Sequence, residues 1–112
     1  MLMDTVTVQD LAAYLREPTG LVQLVDVREP QELALSQLPG FINLPLSEYE
    51  QWSTMIESIL NFNQETWVIC HHGLRSAQMC QWLEGKGYQI VKNITGGIHA
   101  YALEIDRSVP LY

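Results

Sequence analysis

The sequence predicts an α/β domain in which a parallel sheet carries helices on both faces. Three observations predict it. Two stretches, LVQLVDV at residues 21–27 and TWVIC at 66–70, are almost continuously apolar, as strands buried on both faces of a parallel sheet are. Stretches long enough for helices alternate with the strand-like ones. The connections between them are short and marked by Pro and Gly. The chain has 112 residues, of which 47% are hydrophobic. That length suits one domain spanning 1–112, with enough apolar surface for a core.

Thr7 is placed to cap a first helix over residues 8–16, with Leu11, Ala12 and Leu15 on its apolar side and Pro18 and Gly20 ending it. The strand at 21–27 follows. Glu29-Pro30 starts a short helical turn through Leu35, and Pro39-Gly40 marks a turn. Residues 41–43 read as a short strand closed by Pro45. Ser47 with Glu50 forms a capping-box pattern that predicts a helix running to about Leu60. The strand at 66–70 precedes a helix from about Ser76 to Glu84, which Gly85-Lys86-Gly87 stops. Residues 88–93 read as a further strand, Gly96-Gly97 as a turn, 98–105 as a last helix and 107–112 as an extended tail.

Charge and composition narrow the function classes. The formal net charge is -7, with 13 acidic residues against 6 Lys and Arg. That is the wrong sign for a nucleic-acid binder, which needs basic surface to displace counterions. No apolar run approaches the roughly 18 residues of a membrane span. The segment MLMDTVTVQDLAAYLRE has Asp4 where a secretory signal is positive, so a cytoplasmic protein without a membrane partner is expected. The two cysteines, Cys70 and Cys80, are too few for a disulfide framework. Ala77, Cys80 and Leu83 fall on one helix face, which makes Cys80 a small buried hydrophobe.

The chemistry-bearing stretch is CHHGLRS, residues 70–76, which links a strand end to a helix start. Ligands in such sheets bind beyond the carboxyl ends of the strands, where Cys70 and, on another strand, Asp26 and Arg28 stand. Three readings compete for Cys70: a nucleophile in an anion-binding loop, a metal ligand, or a buried thiol with polar neighbours. Backbone N–H groups at a helix N-terminus lack internal partners, and the helix dipole is positive there. Loops of this kind cradle anions. Gly73 lets the chain curl, and Arg75 adds positive charge. A thiolate at the base of the cradle is stabilised, and an accessible thiolate is a nucleophile.

CHHGLRS resembles the active-site loop of the rhodanese-like sulfurtransferases, in the form C-x-H-G-x-R-S. Four further segments carry the same resemblance in order. LVDVREPQE is similar to the family's Asp-Val-Arg motif, and LPGFINLPL to its Pro-Gly segment. NITGGIHAY is similar to its Gly-Gly motif, and DRSVPLY to a common bacterial tail. The resemblance implies a three-layer domain with a central five-stranded parallel sheet. It also implies a persulfide on Cys70, charged by an anionic sulfur donor such as thiosulfate and discharged to cyanide or a thiol. Cys70 is then the catalytic residue, and His71, His72, Gly73, Leu74, Arg75 and Ser76 bind substrate. Asp26 and Arg28 support the pocket, with an even balance between pairing and direct anion contact. Two departures stand out: Ser36-Gln37-Leu38 replaces a frequent Gly-His-Ile, and Tyr101 takes the place of a Trp.

Other readings compete with this one. His71 and His72 beside Cys70 suggest a metal, but adjacent residues seldom converge and His99 is the only other histidine. No closed ligand set is legible, so neither metal nor cofactor is expected. The rhodanese-like phosphatases and arsenate reductases use a loop one residue longer, making a wider cradle. A persulfide carrier docking to a partner protein, or a binding module with little turnover, is the alternative from another class.

Overall fold

The structure, a computed structural model, describes residues 3–112. Its elements in chain order are β1 (Thr5–Val6), α1 (Val8–Arg16), β2 (Val22–Asp26), α2 (Pro30–Leu35), β3 (Ile42–Asn43), α3 (Tyr49–Trp52), α4 (Ile56–Ile59), β4 (Glu65–Ile69), α5 (Leu74–Gly85), β5 (Val91–Ile94) and α6 (Gly97–Glu104). The five strands form one sheet in the order β1-β5-β4-β2-β3, and every pairing is parallel.

Side chains alternate across the central strands and build a core on each face. Val25, Val68 and Cys70 pack with Trp52, Ile56, Leu60, Met79, Cys80 and Leu83 on the face covered by α3, α4 and α5. Leu24, Trp67 and Ile69 pack with Leu11, Ala12, Ile98 and Tyr101 on the face covered by α1 and α6. The apolar strands therefore reflect burial on both sides, as the sequence implied.

Several boundaries differ from the sequence reading. β1 was not anticipated, because two residues carry no periodicity and pairing with β5 makes them a strand. Thr7 does cap α1, with a full capping box to Asp10. The Ser47–Glu50 box does not form. Ser47 donates its backbone N–H to Glu29 Oε2 at 3.2 Å, and its hydroxyl also bonds Glu29. The expected helix to Leu60 is instead two short α-helices interleaved with 3-10 turns at Leu46–Glu48 and Ser53–Met55. α5 begins at Leu74, two residues early, and β5 begins at Val91, three residues late. Tyr88 lies before β5 with its hydroxyl donated to the carbonyls of Ile56 and Leu60.

Register places the site. Asp26 sits opposite Ile69 on β4 and Asn43 on β3. The residues after β2 and β4 thus emerge together at one edge of the sheet, beside the N-terminus of α5.

Candidate active site

Cys70 follows the last residue of β4, and the chain turns at once into α5. Gly73 stands at the helix N-cap with φ +106°, a left-handed conformation that L side chains rarely adopt. The turn returns the Gly73 N–H to Cys70 Sγ at 3.0 Å. The Ser76 hydroxyl lies 3.2 Å from the same sulfur. The N–H groups of Leu74, Arg75 and Ser76 belong to the first turn of α5, where no helical carbonyl precedes them. The Leu74 side chain is 79% exposed, so this residue can serve the loop only through its backbone.

Asn93, at the third position of β5, was not singled out from sequence. Ser76 Oγ and Asn93 Oδ1 are 2.5 Å apart, and Asn93 Nδ2 donates to the Gly73 carbonyl at 3.0 Å. Asn93 therefore ties both the hydroxyl and the turn to the sheet. A buried Asn in a strand that otherwise reads VKNI was its only signal in the sequence. α6 supports the loop from the other side. Ile98 and His99 donate their N–H groups to the carbonyls of Cys70 and His71 at 3.0 and 3.1 Å. This approach needs glycine at 97: a Cβ there would collide with both carbonyl oxygens, and φ is +62°. Gly97→Ala is expected to destabilise the fold by about 2–4 kcal/mol, overpacking and left-handed strain together, and to displace the Cys70 loop. Denaturant melts and the near-ultraviolet circular dichroism of the variant check this.

The sequence implied an accessible thiol; the structure buries Cys70 to 1% exposure, because the turn and the start of α5 fold over the sulfur. Cys80 is wholly buried in the core beneath α5, and burial pushes its thiol up to about 12. It is a core residue, as its helix face suggested.

Asp26 and Arg28 form a buried ion pair at 2.8 Å, with Arg28 at 0% exposure. The Arg28 Nε donates to both carboxylate oxygens of Asp26, and the Arg28 backbone N–H donates to Asp26 Oδ1. Both groups are committed to each other, which leaves little for an anion. Arg28 Nη1 also donates to the Tyr112 hydroxyl at 3.0 Å. That hydroxyl donates to Glu32 Oε2 at 2.8 Å, and the Tyr112 ring stacks on His71 at 3.9 Å and 7°. The tail thus reaches back to the loop, a contact across 41 residues that no local pattern announces.

Arg75 makes a two-pronged ion pair with Glu32 at 2.6 and 2.9 Å. The guanidinium braces α5 against α2, and its charge is largely answered. The same contact, outweighing burial, holds the Glu32 carboxyl down at about 2, against an ordinary 4.5. A depressed carboxylate stabilises the fold above its unfolded pKa and loses that contribution as pH falls through its folded one. Stability should therefore drop between about pH 5 and pH 2 by about 1–3 kcal/mol, after solvent screening at the partly exposed Arg75. Glu32→Gln should flatten this part of the profile in urea melts taken across that range.

Burial, followed by the neighbouring His72, pushes the His71 imidazole below its usual range. His99 on α6 lies beside both loop histidines, with ring centroids 5.9 Å from His71 and 4.7 Å from His72. The sequence showed no such convergence, because α6 returns only through the Gly97 contact.

The site is thus a cysteine sulfur beneath a helix N-terminus, held by a backbone N–H. The rhodanese-like domain profile matches residues 7–104. The chain belongs to the rhodanese-like family. It is 42% identical over 109 residues to the rhodanese-like/PpiC domain-containing protein 12, chloroplastic, of Arabidopsis thaliana, covering 96% of this chain and 36% of that protein. It is 32% identical over 77 residues to the putative sulfur carrier protein YrkF of Bacillus subtilis, covering 69% of this chain and 40% of that one. The chain thus spans well under half the length of these two curated relatives. The rhodanese-like fold is also that of the human single-domain sulfurtransferase TSTD1, which superposes with a TM-score of 0.74 at 25% identity, over 92% of this chain and 98% of that one. Two of these relatives are named for sulfur chemistry, YrkF as a putative sulfur carrier and TSTD1 as a sulfurtransferase. Among the described residues, no helix is long and apolar enough to cross a membrane.

Proposed function

We propose that this rhodanese-like domain is a sulfurtransferase that carries sulfur as a persulfide on Cys70. The observation that carries the reading is the Gly73 N–H donated to Cys70 Sγ at 3.0 Å beneath the N-terminus of α5. The Cys70 thiolate attacks the outer sulfur of a donor such as thiosulfate. A new S–S bond forms, the donor's S–S bond breaks, and sulfite leaves with the electron pair. The persulfide is an anion, and the Gly73 N–H together with the unpaired N–H groups at the start of α5 would stabilise its charge. An acceptor such as cyanide or a thiolate then attacks the terminal sulfur, and Cys70 leaves as thiolate. Atoms and electrons balance without a redox cofactor.

Each loop residue has a part in this reading. Gly73, Leu74 and Ser76 supply N–H donors, while the Ser76 hydroxyl, whose proton goes to Asn93 Oδ1, can accept from the Cys70 thiol 3.2 Å away. His71 and His72 line the mouth. Arg75 holds the loop through Glu32 and contributes what remains of its charge to attracting an anionic donor. Asp26 and Arg28 support the pocket from below. A reducing compartment such as the cytoplasm keeps both thiols free.

The YrkF resemblance favours a second reading, in which the persulfide passes to a partner protein and small-molecule turnover is low. Phosphate chemistry ranks below both, because four residues separate Cys70 from Arg75 and the cradle is narrow. Thiosulfate-to-cyanide transfer and aryl phosphate hydrolysis, assayed side by side, test the proposal. Sulfur transfer without phosphatase turnover is expected; phosphatase turnover without sulfur transfer would overturn it.

A further inference from the structure

The three histidines of the chain meet at one place on the rim of the loop. His71 and His72 follow Cys70, and His99 is the third residue of α6, brought there by the Gly97 contact. The His71 and His72 rings are 4.0 Å apart between centroids. One ring nitrogen from each of the three residues falls within 4.8 Å of the others. Two ring nitrogens, His71 Nε2 and His99 Nδ1, are buried and have no hydrogen-bond partner. A buried polar atom left unpaired is destabilising, and two such atoms in one cluster point to an occupant. Tyr112 stacks face to face on His71, which orients that ring.

We propose that His71, His72 and His99 form a binding site for a transition-metal ion that prefers imidazole, with Zn²⁺ as the representative. The donor set decides the class. Three imidazole nitrogens and no carboxylate disfavour Ca²⁺ and Mg²⁺, which take oxygen ligands. Three protein ligands leave a fourth tetrahedral position for water or an anion. Metal–nitrogen bonds of about 2.0–2.1 Å place the nitrogens of a tetrahedral site about 3.3 Å apart. Small side-chain rotations close the present spacing, and the exposed His72 is free to make the largest. The site lies on the rim of the loop, separate from the Cys70 sulfur on its floor, and its existence does not depend on the sulfur chemistry.

The experiment is calorimetric titration of the metal-stripped protein with Zn²⁺ alone, together with visible spectra of the Co²⁺-loaded protein. Saturable binding of one ion per chain is expected, with the intense Co²⁺ bands of tetrahedral nitrogen coordination. His99→Ala should weaken binding by more than the roughly 10–100-fold that follows loss of an outer-shell partner, and Cys70→Ser should retain it. His72→Ala, at an exposed position, decides the matter should the α6 variant fail to fold, and it should weaken binding likewise. Absence of saturable binding would overturn the proposal. So would binding that survives both histidine substitutions but is lost in Cys70→Ser, since the metal would then sit on the thiolate.

Discussion

Cys70→Ser is expected to lower sulfur transfer by about 10,000-fold or more, the scale on which loss of an attacking nucleophile acts. The serine hydroxyl fits the space under α5 and can accept the Gly73 N–H, so the variant should fold. It cannot form a persulfide. Cys80→Ser supplies the contrast. Cys80 is fully buried among Val68, Met79 and Leu83, and a hydroxyl there lowers stability without removing the chemistry. Transfer rates normalised to folded protein separate the two variants. Equal loss in both would sink the assignment of Cys70.

The largest expected effect on stability is at Arg28. Arg28→Met leaves Asp26 as an unpaired charge at 3% exposure. Breaking a buried pair in this way destabilises by about 3–5 kcal/mol, which lowers Tm by roughly 10–20 °C in a domain of this size. Tyr112 and Glu32 lose a partner as well, since Arg28 donates to the Tyr112 hydroxyl. The double variant Asp26→Leu/Arg28→Met should be less damaging than the sum of the single changes. It would still strand the Arg28 backbone N–H, which now donates to Asp26 Oδ1. A single-variant loss below about 1 kcal/mol would mean that water or a nearby group compensates Asp26.

The difference between what sequence could and could not show follows the range of the interactions. Continuous apolar runs revealed β2 and β4, because burial on both faces imposes that pattern locally. Thr7 and Asp10 revealed the start of α1, because a capping box closes over three residues. The loop at Cys70 was legible for the same reason: thiol, glycine and helix start lie within a few positions. Ser47 and Glu50 looked equally local, yet Glu29 captured Ser47 from 18 residues away. Arg75 reads as a free charge until Glu32 is found 43 residues upstream. Asn93, Tyr112 and His99 act on the loop only through the sheet, the tail and α6. Their roles are set by tertiary contact, and no spacing in the chain encodes them. The accessibility of Cys70 was misjudged likewise, because the turn that presents N–H groups to the sulfur also covers it.

The account rests on sulfur residing at Cys70, and mass spectrometry of the intact protein and its peptides after exposure to thiosulfate tests that most directly. The expected result is a gain of one sulfur atom, located on the peptide that contains Cys70, removed by cyanide, and absent from Cys70→Ser. An unmodified Cys70 in folded protein under those conditions, or sulfur found on Cys80 instead, would contradict it.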